Sequence, residues 1–130
     1  MENTMTAQEI YETAFNLLGE FPEQDIENIK MALNLLNVLI ADCFDVNNTL
    51  RIYNGKEKLK EIPVIDRMDE SMEYEYVLCR DALPYGLAAL IILEDDTNRA
   101  GFFDFRYQQK KMQYSKMENV KIDDTEEYVI

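Results

Sequence analysis

The chain has 130 residues, 47% of them apolar and 30% charged, a length and composition that suit one folded domain. Its 26 acidic against 13 basic residues leave a formal net charge of -13. That excludes a groove-reading nucleic-acid module, which needs clustered Lys and Arg to displace counterions from phosphates; here the densest basic cluster, Lys56, Lys58 and Lys60, is offset by Glu57 and Glu61. With no histidine at all, Ser-His, Cys-His and His-metal chemistry is excluded unless a partner chain supplies the imidazole.

The first predicted helix spans Ala7 to Leu18. Thr6 and Glu9 form a capping box, Ile10, Ala14, Leu17 and Leu18 make an apolar stripe, and Gly19 with Phe21-Pro22 stops the helix. Pro22 and the acids Glu23, Asp25 and Glu27 suit the start of a second helix, whose core face reads Ile26, Ile29, Leu33, Leu36, Ile40 and Cys43. Asp42, on the flank of that run, reads as a solvated or capping carboxylate.

Residues 45–67 read differently, as an extended arm or short β-hairpin. Asn47-Asn48 acts as a breaker, Thr49 to Tyr53 leans towards strand, and Asn54-Gly55 signals a turn. A third helix can start at Asp69-Glu70-Ser71. Pro84 then forces a kink near Arg80 or a new helix around Asp81, because proline removes one helical hydrogen bond and clashes with the preceding turn. After the acidic connector Glu94-Asp95-Asp96, the last helix runs from about Asn98 to Lys116, with Phe102, Phe103, Phe105 and Tyr107 crowded into two turns. Residues 118–130 read as an acidic tail that orders on contact, ending in the apolar Tyr128-Val129-Ile130.

The fold class expected is therefore mainly α, a bundle of four to five helices over residues 1–117 with the arm or hairpin between the second and third. No catalytic residue, metal site or cofactor is assigned. Cys43 and Cys79 lie in apolar stretches without metal-ligand spacing and read as buried free thiols in a reducing cytoplasm. Glu94, Asp95 and Asp96 lack the alternation and glycine of a calcium loop, and the four glycines stand too far apart for a phosphate loop. The longest apolar run, Gly86 to Leu93, is far below the roughly 20 residues a bilayer requires.

The order of features, with Asp81-Ala82-Leu83-Pro84-Tyr85-Gly86-Leu87-Ala88-Ala89-Leu90, an acidic connector, and Arg99-Ala100-Gly101-Phe102-Phe103-Asp104-Phe105-Arg106-Tyr107, resembles the head-to-tail connector (adaptor, head-completion) proteins of tailed bacteriophages and prophages. The similarity covers residues 7 to 116 and is sharpest from 69 to 107. It implies a structural protein of the virion neck, made in the bacterial host cytoplasm. Such a protein forms a ring of copies beneath the portal, contacts the portal and the next tail or neck component, and lets DNA pass without specific binding. The residues this places at interfaces are Arg51 and Tyr53 of the arm, Tyr85, Arg99, Arg106 and Tyr107, and Tyr128, Val129 and Ile130 of the tail. An acidic wall along which DNA slides fits that picture. Two rivals stand beside it. One is an acidic inhibitor that mimics DNA and binds a basic protein surface; the other is a metal-dependent enzyme built on Glu94, Asp95 and Asp96.

Overall fold

A computed structural model describes residues 3–117, in which six helical segments follow one another: α1 (Ala7–Leu18), α2 (Ile26–Asp42), α3 (Phe44–Tyr53), α4 (Tyr76–Asp81), α5 (Leu83–Ile92) and α6 (Thr97–Ser115). The tail, with Tyr128, Val129 and Ile130, lies outside the described residues. The centre of the bundle is α5, which buries Leu83, Pro84, Gly86, Leu87, Ala88, Ala89 and Ile92 and packs against α1, α2, α4 and α6. A helix this apolar on all sides has to be enclosed, and its neighbours supply Ile10, Tyr11, Leu36, Ile40, Leu78, Phe103 and Tyr107.

The capping box at the start of α1 is present. The Thr6 amide donates to Glu9 Oε1 at 3.0 Å, and the Glu9 amide donates to Thr6 Oγ1 at 3.1 Å. Gly19, at φ 76°, closes the same helix, with its own amide and that of Glu20 returning to the Asn16 and Phe15 carbonyls. The break before Pro84 is present as well. Ala82 separates α4 from α5, and Pro84 sits in the first turn of α5, where a missing amide costs nothing.

The arm departs from expectation. Among the described residues there is no β-strand, only an isolated bridge between Thr6 and Ser71. Thr49 to Tyr53 is helical and belongs to α3, where the Thr49 hydroxyl donates to the Asp45 carbonyl at 3.1 Å. Asn54-Gly55 ends that helix rather than turning a hairpin: at φ 80°, Gly55 donates to the Ile52 carbonyl, and Lys56 donates to that of Arg51. Asn47 and Asn48 are buried helical residues whose side-chain oxygens accept from the chain that follows, Asn47 Oδ1 from the Glu75 amide at 2.7 Å. Asn48 accepts from the Leu59 amide at 2.8 Å and donates to its carbonyl at 3.2 Å. Asn37 of α2 holds Ile65 in the same way, at 2.9 and 2.8 Å. Residues 56–75 therefore lie along the bundle as a strap.

Two helix starts also differ. The second helix begins at Ile26, capped by Asp25, which accepts from the Asn28 amide at 3.3 Å. Ile26 points to solvent, and the buried face is Ala32, Leu36, Leu39, Ile40 and Cys43. Leu39 on this face lies directly against Gly86 of α5. The helix expected to start at Asp69 is α4, which begins at Tyr76. The backbone of 68–72 is occupied elsewhere: the Met68 and Glu70 carbonyls accept from the free amides of Gln8 and Ala7, and the Met72 amide donates to Met5.

Candidate interaction surface

The long α6 has two faces of opposite character. Ala100, Phe103, Tyr107 and Tyr114 are buried, while Phe102, Phe105 and Met112 stand 58%, 62% and 60% exposed. Asp96 starts the helix by accepting from the Arg99 amide at 3.1 Å, so its carboxylate serves as a cap. From 97 to 116 the chain carries five of its 13 basic residues and one of its 26 acids. The helix is thus a basic, aromatic element in an acidic protein.

Three of the sequence-selected residues meet at its N-terminal half. Arg106 lies over the rings of both Tyr85 and Phe102, 5.9 Å from each centroid, and Arg99 lies over Phe103 at 5.7 Å. Phe103 is in edge contact with Phe102 at 5.6 Å and tilted against Tyr85 at 6.3 Å. Arg99 also reaches across to α1, where Nη2 donates to the Leu18 carbonyl at 3.2 Å. Leu17, Asn98 and these aromatic residues line a shallow hollow on the surface. Of the three rings beneath these guanidinium groups Phe102 is exposed, Tyr85 half-buried and Phe103 buried, and each is close enough for a cation–π attraction.

The other sequence-selected residues do different work. Tyr107 is buried, donating to Asp42 Oδ2 at 2.7 Å with Cys43 Sγ 3.1 Å away. Burial first, then the neighbouring Cys43 and Asp42, push its hydroxyl well above the ordinary range. Burial alone would raise the Asp42 carboxyl, but hydrogen bonds from Lys111, at 2.5 Å, and from Tyr107 outweigh it and hold the group below its usual value. Asp42, about half exposed as a solvated flank should be, is therefore also a tie between α2 and α6. Arg51 secures the start of the strap, with Nε donating to the Glu57 carbonyl at 2.6 Å. Tyr53 is half-buried in the last turn of α3.

Sequence reasoning missed Glu75. Its carboxylate is buried, held by Lys56 Nζ at 2.9 and 3.1 Å and by Asn54 Nδ2 at 2.8 Å, with Arg51 at 3.9 Å; its amide donates to Asn47 Oδ1 at 2.7 Å. No local pattern marks it, since every partner lies 19 to 28 residues away. Cys43 and Cys79 are buried and free, with burial raising their thiols to about 11 and about 12, so both are protonated at neutral pH. Among the described residues no group of three acidic or cysteine side chains is placed to hold a metal ion, and no helix is long and apolar enough to cross a membrane. Comparison with known proteins finds no family model, no curated protein and no solved structure that matches the chain.

Proposed function

We propose that the protein is a structural subunit of a phage or prophage particle, a head-to-tail connector adaptor that forms a ring beneath the portal through which DNA passes. The observation that carries this reading is the outward row on α6: large apolar side chains more than half exposed, flanked by arginines and lysines, on a chain whose net charge is -13. Exposed aromatic and arginine residues are the side chains that anchor protein interfaces. The acidic remainder repels a phosphate backbone and so suits a channel along which DNA moves without sticking. A DNA mimic needs carboxylates on its binding face, and the exposed aromatic row of α6 is flanked by basic residues instead.

Inactivating the gene in the phage or prophage that carries it should leave heads that package DNA but lack tails, visible by negative-stain electron microscopy. An undiminished yield of complete particles would contradict the reading.

A further inference from the structure

Two helices carry outward rows whose spacing is that of a coiled-coil seam. On α6, Phe102, Phe105, Gln109 and Met112 follow at intervals of three, four and three residues; on α2, Met31, Asn34, Val38 and Ala41 follow at three, four and three. At about 100° per residue each row lies opposite the buried face of its own helix, so each points straight at solvent. Met31 and Val38 are 42% and 59% exposed, Val38 as open as the apolar residues of the α6 row. Neither row is explained by the packing within one molecule.

The two rows complement each other when laid antiparallel. With the Gln109 amide against the Asn34 amide, Met112 meets Met31, while Phe105 meets the smaller Val38 and Phe102 the smaller Ala41. The same register sets Lys116 opposite Glu27 at one end. A buried amide pair of this kind is the device by which helical seams select one alignment.

We infer that the α6 row of one molecule docks antiparallel on the α2 row of a second copy. The contact joins two different faces, so each molecule offers one of each and the assembly propagates head to tail, closing as a ring where the rotation permits. This deepens the connector reading and rests on it for the purpose of the ring, but the contact itself is tested apart from any phage.

Phe105→Asp destroys the α6 row and leaves α2 intact; Val38→Asp does the reverse. Both positions are well exposed, and unchanged thermal melts by circular dichroism would verify that both variants fold. By light scattering after size exclusion, the wild-type chain should gain mass with concentration while each variant alone stays monomeric. An equimolar mixture should form a two-chain species and nothing larger, because one intact α6 row meets one intact α2 row and no free pair remains. The inference is overturned if the mixture stays monomeric, if Val38→Asp assembles as the wild type does, or if the wild-type chain never leaves the monomer. Tailless heads alongside any of these results would retain the connector and discard this contact alone.

Discussion

Asn37, Asn47 and Asn48 hold a segment that has no regular structure of its own. A carboxamide reproduces both halves of a peptide group, so Asn37 and Asn48 each satisfy the amide and carbonyl of one strap residue, as a neighbouring strand would. Because Ile65 is almost fully buried, Asn37→Ala leaves a backbone amide and carbonyl without partners there, at an expected cost of about 1 to 3 kcal/mol. Urea unfolding measures this directly; a loss below about 0.5 kcal/mol, the level of a neutral surface change, would show that the clamp contributes little. These roles were illegible in the sequence for a physical reason. An asparagine that breaks a helix and one that clamps a distant segment have the same neighbours along the chain, and only the fold supplies the partner. Tyr107 was misplaced for a related reason: its phenol reads equally well as a surface contact or as a buried donor until Asp42 and Cys43 are seen beside it.

At the scale of elements, signals that depend on adjacent residues were the ones that could be read. The capping box of α1, the glycine at its end and the break ahead of Pro84 are fixed by backbone chemistry within a few residues, and each stands where the sequence puts it. The α3 helix was hidden because Thr49 to Tyr53 has strand-like side chains, and strand preference yields to packing when one face of the segment can be buried. Gly86 shows how close the central contacts are. A Cβ there would stand 2.9 Å from Leu39 Cδ2 and 2.9 Å from Tyr107 Cδ1. Leu39 can give way at its tip, but the Tyr107 ring is anchored by its hydroxyl to Asp42. Alanine favours a helix over glycine by roughly 1 kcal/mol, whereas overpacking a tight site costs about 1 to 3 kcal/mol, so Gly86→Ala should lower the melting temperature followed by circular dichroism. A rise in melting temperature would mean that α5 and α6 separate more easily than this packing implies.

At the scale of the whole molecule, charge and apolar exposure are unevenly divided. Arg99, Arg106 and Lys116 are exposed on the helix that carries the exposed Phe102 and Phe105, while the rest of the chain carries nearly all of the acid. Two effects then compete when copies meet: a long-range repulsion between chains of net charge -13 and a short-range attraction between the apolar outward rows of α6 and α2. At low salt the repulsion extends furthest; at about 0.15 M salt the screening length falls to roughly 8 Å, so the repulsion fades while pairs in contact persist. The amphipathic pattern of α6 was legible as an aromatic helix, but which aromatic residues face outward was decided only by the position of α5.

The most direct measurement is the mass of the purified chain in solution, by light scattering after size exclusion, over a range of concentration at low and at physiological salt. The account predicts a monomer at low salt and, at physiological salt, a mass that climbs with concentration towards a closed multi-subunit ring. A monomer at every concentration and both salts would contradict it.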